Sequence, residues 1–528
     1  MQILTFILFT LFVAIISYWK TRKTDESSHD GYFLGGRSLT GVVIAGSLLL
    51  TNLSTEQIVG LNGAAFKDGI LVMAWETLAA IAMVVTAVFL LPRYLKGGIT
   101  TVPQFLEQRY DKVTKTITSG LFLSGYAIVL LPIVLYSGAL ALSNMFDIPE
   151  LLGVSKSTAL WITVWSIGII GSIYAIFGGL KAVAVSDTIN AVGLLIGGML
   201  IPVFGLLAIG DGSISDGIST LITDNPEKFK SLGGPKSSIP WETIFTGMML
   251  VQLFYWGTNQ AIIQRALGAK NLKEGQKGLL LASFIKILGP LIVVLPGIIA
   301  YHMFGGQLDN PDEAYPMLVE RVLPDAWLGF FAAVLFGAIL SSFNSALNSS
   351  VTLFGVDIYK SHFNKEADEI KVVKVGKSFG IILAIVSMLI APLIANAPDG
   401  LFSYLQEING CYSIPILTII VVGYFTKYVP AIAAKVAIFS GVILYSISQF
   451  ILKPLVFGED NYPHFLHVMA ILFVLNILIM LLISKYKPRK EAYILSYSKQ
   501  VDITPWRHVQ SVGIGICIIV LAIYIYFM

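Results

Sequence analysis

The stretch LLLTNLSTEQI at residues 48–58 places six polar side chains in the middle of a long apolar segment. Serine, threonine and asparagine side chains compete with the hydrogen bonds of a helical backbone. A break in the helix is therefore predicted close to Asn52. At membrane depth, unwound backbone is tolerated where it is buried in protein or lines a wet cavity, and there its freed carbonyl groups can bind a cation. A sodium ion suits such a place.

The surrounding sequence is that of a membrane protein. Apolar side chains make up 55% of the 528 residues and charged ones 13%, with a mean hydropathy of +0.78. One soluble core is too small to hide this much apolar surface. Segments of about 20 apolar residues, enough to span a bilayer, recur along the chain. We predict an all-α membrane protein of about fourteen transmembrane helices, near residues 2–19, 38–62, 70–92, 114–145, 158–178, 185–208, 241–263, 278–303, 326–358, 375–396, 400–426, 430–452, 463–484 and 509–527.

Lysine and arginine residues predict which side of the membrane each connection faces. Alternate connections hold 27 of the 35 basic residues, and the other set holds seven. Because cytoplasmic connections carry an excess of basic residues, the first set is predicted to be cytoplasmic and both termini extracytoplasmic. The chain is thus expected to be a multi-pass protein of the plasma (inner) membrane, in contact with the lipid bilayer.

Several functional classes are disfavoured by the sequence. The net charge of +3 gives no reason to expect a nucleic-acid partner, and no segment indicates an obligate protein partner. Cys411 and Cys517 lie in apolar segments, and the six histidines lie in connections or near helix ends. This distribution argues against a disulfide framework and an intramembrane metal site. No nucleophile and base stand at a recognisable spacing, which disfavours an enzyme.

A charge inside a membrane span is costly, and five ionisable residues in the predicted spans are candidates for a functional site. They are Glu56, Glu76, Asp187, Lys286 and Glu407. Each has two interpretations: a structural pair or a side chain that reaches an interface, or a group that lines a polar cavity. The sequence alone leaves both open.

Two further polar clusters lie within apolar segments. Small and hydroxylated residues often mark tight helix packing, so packing and a cation site both stay open for the first cluster. The first cluster consists of Ser341, Ser342, Asn344, Ser345, Asn348, Ser349 and Ser350. The second cluster ends the seventh predicted span and consists of Tyr255, Trp256, Thr258, Asn259, Gln260 and Gln264.

Six motifs carry a family resemblance. They are TNLSTEQIVG (51–60), WE (75–76), FYWGTNQAIIQRALGAKN (254–271), the lysine at 286, GAILSSFNSALNS (337–349) and YLQEING (404–410). In order and spacing they resemble the sodium/solute symporter family, most closely its bacterial sodium/glucose and sodium/galactose branch. The resemblance covers nearly the whole chain and implies a LeuT-like fold of two inverted five-helix repeats. Its implied parts are a leading helix and first cytoplasmic loop (1–37), a first repeat (38–208), an extracellular loop (209–240), a second repeat (241–426) and three peripheral C-terminal helices (427–528).

The resemblance also implies site residues. A sodium ion would be held by the carbonyl groups of Leu50, Leu53 and Ala338 and by the hydroxyls of Ser341 and Ser342. A sugar would be bound by Gln57, Glu76, Gln252, Lys286 and Gln406. The gates would be Leu61, Tyr255 and Phe402, with Tyr255 steadied by Asn52. Asp187 matches an acidic residue implied to couple sodium to the cytoplasmic side.

Two positions depart from the family pattern. Leu130 stands where the family has an asparagine, and Ala79 where it has a serine, so two sugar contacts are missing. The predicted function is sodium-coupled import of a small polar solute, a monosaccharide in first place. An inositol, amino-acid or carboxylate carrier is the first alternative, and a sugar sensor or channel in the same fold is the second.

Overall fold

The chain is entirely helical in its regular structure, as described by a computed structural model for residues 2–22, 28–305, 308, 310–396, 401–458 and 461–528. The α-helices are α1 Gln2–Thr21, α2 His29–Leu34, α3 Gly41–Asn52, α4 Thr55–Asp68, α5 Ala74–Val85, α6 Leu91–Gly97, α7 Val102–Arg109, α8 Lys112–Gly125, α9 Leu131–Met145, α10 Ile148–Leu152, α11 Lys156–Ile209, α12 Ile214–Asp224, α13 Met249–Gly257, α14 Gln260–Leu267, α15 Leu272–Lys286, α16 Gly289–Val293, α17 Leu295–Phe304, α18 Ala314–Val322, α19 Asp325–Thr352, α20 Glu369–Ile390, α21 Leu401–Phe425, α22 Ala431–Ile447, α23 Phe465–Tyr486 and α24 Val509–Tyr526.

Short tighter and wider helical turns join or extend these helices. The 3₁₀ turns are Gly35–Arg37, Gly69–Met73, Pro226–Phe229, Trp241–Thr243, Pro311–Glu313 and Ala391–Asn396. The π-helical segments are Thr86–Leu90, Tyr126–Leu130, Ile244–Met248, Leu353–Phe363 and Ser448–Phe457.

The helices are those of a multi-pass membrane protein. Over the described residues, eleven are long and apolar enough to cross a bilayer, or up to twelve when one bent pair is counted as a span. That pair, α15 with α16 and α17, bends by 49°. Pro290 and Pro296 are the second residues of α16 and α17, and proline cannot donate a backbone hydrogen bond. The span predicted over residues 278–303 is therefore bent, which was not expected from the sequence. The count of fourteen stays a prediction.

The predicted break near Asn52 is confirmed. Helix α3 ends at Asn52 and α4 begins at Thr55, with Leu53 at φ −77°, ψ 56° and Ser54 in an extended conformation. Ten of the twelve residues of α3 are buried, so the break lies inside the protein. Gly69 then ends α4 at φ 77°, where residues with a side chain are strained.

A second break separates α13 from α14, where the sequence analysis had placed a continuous span over 241–263. Asn259 is extended (φ −67°, ψ 119°), and its side chain accepts a hydrogen bond from the amide of Ala261 at 3.0 Å. The Tyr126 hydroxyl donates to the same Asn259 oxygen at 2.6 Å. The backbone hydrogen bonds of a continuous helix are therefore interrupted here, and the Asn259 side chain caps the second half-helix instead.

Helix α19 occupies the centre of the bundle. It packs against α1, α3, α9 and α11. Helix α11 is itself interrupted at Gly179 (φ 58°, ψ −174°), so it forms two separate spans, Lys156–Ile176 and Gly179–Ile209. This arrangement places the hydroxyl-rich part of α19 directly beside the break between α3 and α4.

One end of the bundle, here called the basic face, gathers the basic connections. Arg37 donates hydrogen bonds to the carbonyls of Leu267 (3.4 Å) and Gly98 (3.2 Å) and to the side chain of Gln500 (3.3 Å). Leu39 and Lys270 are joined by a backbone hydrogen bond of 3.1 Å. The segments before α3 and after α14 are thus tied together.

Residues 487–508, here called the strap, run along the basic face between α23 and α24. Four backbone bonds join the strap to other parts of this face: Arg489 to Tyr428 (2.8 Å), Tyr493 to Lys427 (3.0 Å), Ser498 to Lys96 (2.9 Å) and Asp502 to Leu272 (2.9 Å). The backbone of the strap therefore contacts three parts of the chain that are far apart in sequence.

The opposite face holds both ends of the described chain. The side chain of Gln2 bonds Asp325 at 3.3 Å, and the carbonyl of Phe527 accepts from the amide of Ser231 at 3.1 Å. The buried ammonium of Lys228 donates to the carbonyls of Phe66 (3.0 Å) and Lys67 (2.7 Å) at the end of α4. A loop of this face thus caps the outer half of the first broken helix.

Replacing Lys228 by methionine is expected to lower the thermal stability of the protein. The variant keeps most of the side-chain volume but removes two charge-assisted bonds, which contribute about 1.5–3 kcal/mol each. Melting of the purified protein in detergent measures the effect. Lys230→Met is the control, since Lys230 is exposed two residues away. Equal melting temperatures for the two variants would contradict the capping role.

Candidate functional site

A buried ion pair stands beside the first broken helix. Lys286, the last residue of α15, contacts the carboxylate of Glu76, in the first turn of α5, and their side chains are 1% and 0% exposed. The Lys286 ammonium also donates to the Asn52 side-chain oxygen. Gln57 donates to the second oxygen of Glu76 at 2.7 Å, and Asn52 donates to Gln57 at 3.3 Å. Asn52, Gln57, Glu76 and Lys286 are here called the polar cluster.

The polar cluster offers both kinds of hydrogen-bonding partner. Its carboxylate accepts, its ammonium donates, and its two amides do both, which matches the needs of a solute with several hydroxyl groups. Glu76 and Lys286 neutralise each other, which limits the cost of burying two charges. The lysine's position one residue before the bend in α15 to α17 explains how its side chain reaches the break.

Two other residues predicted to bind solute lie apart from this cluster. Gln252 donates to the carbonyl of Trp75 at 2.8 Å and accepts from the indole of Trp256 at 3.2 Å. The centre of the Trp256 ring lies 5.7 Å from the Lys286 ammonium. Trp256 therefore lies between Gln252 and the polar cluster. Gln406 is half-buried on α21 and has no hydrogen bond to the cluster within the described part of the chain.

The predicted gate residues lie on two sides of the polar cluster. Phe402 packs edge-on against Trp75 with ring centroids 5.1 Å apart, and Gly60 of α4 approaches it closely. Leu61 is completely buried. Beyond this contact, toward the opposite face, lies a cavity of about 420 Å³ that also reaches Glu407. Glu407 is paired there with Lys453 at 2.8 Å and is partly exposed, in keeping with its structural interpretation.

Tyr255 lies on the other side of the cluster, on α13 just before the second break. Its side chain approaches Asn52 and is partly exposed. Its ring stands 5.3 Å from that of Trp256. An aromatic face and an amide therefore adjoin the ion pair from this side.

The break between α3 and α4 leaves backbone oxygens free. In a continuous helix the carbonyls of Leu50 and Leu53 would accept hydrogen bonds from the amides of Ser54 and Gln57. Within the described residues neither bond forms, and the Gln57 amide donates to the Ser54 carbonyl at 3.2 Å instead. The Ser342 hydroxyl of α19 donates to the Thr51 carbonyl at 2.8 Å. The Thr51 hydroxyl stands 3.2 Å from that of Ser341.

These oxygens suit a sodium ion. Hard cations prefer carbonyl and hydroxyl oxygens, and the freed carbonyls of a discontinuous helix are a common place for sodium in transporters. Ala338 is buried one turn before Ser341 and Ser342 on the same helix. The structure thus brings the predicted sodium-binding residues to one place, although their role stays a prediction.

Asp187 and Arg265 form a second buried charge pair, joined through a hydroxyl. The Ser47 hydroxyl donates to Asp187 at 2.6 Å and accepts from the Arg265 guanidinium at 3.1 Å. Asp187 and Arg265 are 1% and 0% exposed. The predicted spans 241–263 and 278–303 leave Arg265 in a basic connection between them, and this placement is wrong, since the residue lies inside α14.

The similarity to known proteins decides the family. A model of the sodium:solute symporter family matches residues 32–442, which is most of the chain. The chain belongs to this family. The symporter is 49% identical to YidK of Escherichia coli K12, described as an uncharacterized symporter, over 99% of its length and 90% of the relative's.

Other relatives are named for their solutes. The symporter is 34% identical to the sodium/glucose cotransporter of Vibrio parahaemolyticus, over 79% of its length and 80% of the relative's. It is 29% identical to human sodium/myo-inositol cotransporter 2, over 84% and 69% of the two lengths. The protein is therefore a transporter and not an enzyme.

A solved structure shares the fold. It is a sodium-coupled sialic acid symporter in a substrate-bound, outward-open state, and it superposes with a TM-score of 0.78 at 21% identity. The superposition covers 93% of the symporter and 98% of that chain. The symporter therefore has the helical fold of sodium-coupled membrane transporters.

Trp75 and Trp256 belong to a motif and a polar cluster identified from the sequence, but they were given no contact there, and Gly289 was not singled out at all. Trp75 and Trp256 contact the predicted binding residues directly, as described above. Gly289, the first residue of α16, lies so close to Glu76 that any side chain there would clash with the carboxylate. A glycine next to a proline, three residues after an intramembrane lysine, is the signal that indicates this contact. Of the two departures, Ala79 is buried and Leu130 ends a π-helical turn.

Replacing Gly289 by alanine is expected to weaken solute binding. The added methyl group would push the Glu76 carboxylate away from Lys286, and such overpacking costs about 1–3 kcal/mol. We expect a rise of about 10-fold in the solute concentration that half-saturates uptake. Gly120→Ala is the control, because a methyl group at that glycine meets open space. An unchanged half-saturation in the Gly289 variant would place the solute away from Glu76.

Proposed function

We propose that the symporter imports a monosaccharide together with sodium. The observation that carries this proposal is the polar cluster of Asn52, Gln57, Glu76 and Lys286 beside a broken helix with free carbonyl groups. A neutral, polyhydroxylated ring matches a cluster whose charges cancel and whose groups both donate and accept. Tyr255 supplies an aromatic face for such a ring.

The proposed architecture has fourteen transmembrane helices with two inverted five-helix repeats at residues 38–208 and 241–426. The two breaks support it, since each interrupts the first span of one proposed repeat. The remaining parts are residues 1–37, the loop 209–240 and the helices of 427–528. The basic face is proposed to be cytoplasmic in the plasma membrane, with both termini outside.

Sodium is proposed to bind Leu50, Leu53, Ala338, Ser341 and Ser342. Its binding would hold the α3–α4 break against α19, because these oxygens come from both elements. The solute then binds the polar cluster, with Gln252 and Gln406 as further contacts in other states.

Transport follows from alternate opening of the two sides. Leu61 and Phe402 close the solute from the outside and Tyr255 closes it from the inside. The two repeats rock about the site, and sodium leaves past Asp187. One sodium ion that crosses 100 mV supplies about 2.3 kcal/mol, which allows useful accumulation at one ion per sugar.

A cyclic polyol such as inositol is the second candidate solute. It is favoured by the similarity to sodium/myo-inositol cotransporters, and it has the same array of ring hydroxyls as a sugar. Amino acids and carboxylates fit less well, because the one cation of the polar cluster is already paired with Glu76.

Uptake into proteoliposomes tests the proposal. Purified symporter is reconstituted, and labelled hexoses and pentoses, myo-inositol, an amino acid and a dicarboxylate are offered with and without an inward sodium gradient. We expect accumulation of one monosaccharide above equilibrium only with the gradient. Accumulation of myo-inositol alone would show that the solute is a cyclic polyol and not a monosaccharide. Equilibration without accumulation would indicate a channel, and binding without entry a sensor.

A further inference from the structure

Arg265 connects the buried carboxylate of Asp187, through Ser47, with the hydroxyl-rich part of α19. It lies on α14, the second half of the second broken helix, and its side chain has no exposed surface. One guanidinium nitrogen bonds Ser47, which bonds Asp187, and another contacts the hydroxyl of Ser345 on α19. The third bonds the Ala261 carbonyl of its own helix, so all three nitrogens are used.

A hydrogen-bonded path leads from Arg265 to the proposed sodium site. The Ser345 hydroxyl donates to the Ser341 carbonyl at 2.5 Å and stands 3.1 Å from the Thr51 hydroxyl. Thr51 also accepts from Ser342 through its carbonyl. Arg265 therefore fixes the orientation of hydroxyls that adjoin the proposed ligands, without being a ligand itself.

The charges of Asp187 and Arg265 affect how tightly the proposed site would bind sodium. All the proposed sodium ligands are neutral oxygens, and the buried formal charges that adjoin them through this path are those of Asp187 and Arg265. In a protein interior, charges interact far more strongly than in water. An uncompensated Asp187 would attract sodium more tightly, whereas an uncompensated Arg265 would repel it.

We propose that Arg265 is a positioning residue that sets the affinity for sodium: it compensates the charge of Asp187 and orients the hydroxyls of Ser345 and Thr51. The site is thereby nearly neutral, and the ion binds weakly enough to be released on each cycle. This inference rests on the proposed sodium site, and it adds a residue to which no role was assigned there.

A charge cycle of four proteins tests it: the unchanged symporter, Asp187→Asn, Arg265→Gln and the double variant. Two readouts are used, the sodium concentration that half-saturates uptake and the sodium-dependent rise in melting temperature, which needs no transport. We expect Asp187→Asn to raise the half-saturating sodium concentration at least 10-fold. Arg265→Gln should lower it at least threefold, and the double variant should return within threefold of the unchanged protein.

Two more variants separate charge from folding. Arg265→Lys keeps the charge and should keep the sodium affinity within threefold, even if its melting temperature falls. Gln264→Ala removes a neighbouring, equally buried polar side chain that bonds Thr352 and Ser349 of the same α19. We expect it to lower the melting temperature and to leave the half-saturating sodium concentration unchanged.

The outcomes are distinct. Single variants that shift the sodium affinity in the same direction, or a double variant that fails to recover, would overturn the role of Arg265. If Arg265→Gln does not fold, a tenfold loss of sodium affinity in Arg265→Lys would overturn it as well. By contrast, an unchanged symporter whose uptake and melting ignore sodium would refute the proposed function itself.

Discussion

Sodium-driven uptake is expected to fall at least about 100-fold when Lys286 is replaced by alanine or Glu76 by glutamine. Each change leaves the other charge buried without its partner, which costs about 3–5 kcal/mol. Both also remove a group that is proposed to bond the solute. Initial rates of uptake into proteoliposomes, at equal amounts of reconstituted protein, measure the loss.

An ion pair away from the site provides the control for this prediction. Lys435 and Asp111 are 2.7 Å apart, and their side chains are 25% and 33% exposed. Because partly exposed pairs contribute little, Lys435→Ala should change uptake less than twofold. If the Lys286 and Glu76 variants transport at rates within twofold of the unchanged protein, the solute does not bind at the polar cluster.

The affinity for sodium is expected to fall in Ser342→Ala. The variant removes a proposed ligand and the bond that holds the Thr51 carbonyl against α19. A buried group left without its partner costs about 1–3 kcal/mol, so the half-saturating sodium concentration should rise about 10-fold or more. A sodium titration of uptake at fixed solute concentration measures the shift.

Ser350 supplies the matched control on the same helix. Among the described residues, its buried hydroxyl bonds only the Ala346 carbonyl one turn earlier, at 2.8 Å, so its removal breaks a local contact. Ser350→Ala should therefore keep the sodium titration of the unchanged protein within twofold. If the Ser342 variant keeps the full affinity for sodium, the ion does not bind at the proposed site.

The sequence predicted the first break because its cause is local. Thr51, Asn52 and Ser54 lie close together in an apolar segment, and their side chains compete for the hydrogen bonds of the helical backbone. The bend after Lys286 was missed, although Pro290 was visible, since proline near a span can also begin a straight helix. The second break was missed because the polar residues around Asn259 were interpreted as the end of a span.

The pairings within the site depend on the tertiary fold. Lys286 meets Asn52 across 234 residues and Glu76 across 210, and no spacing in the sequence gives such a contact. The family resemblance brought these residues together as a set, but it did not indicate that Gln406 stands apart in this conformation. Arg265 was misassigned because a basic residue near a helix end ordinarily indicates a connection.

The strap gives the last two helices a role beyond contact with lipid. Since residues 487–508 are hydrogen-bonded to the connections at 96, 272 and 428, the chain returns after α23 to brace segments from both proposed repeats. A minimal transporter cut after α21 or α22 would thus lose a girdle around its basic face, and not merely peripheral helices. Reporter proteins or affinity tags are better fused at the extreme carboxyl terminus, which lies at the far end of the bundle from that girdle.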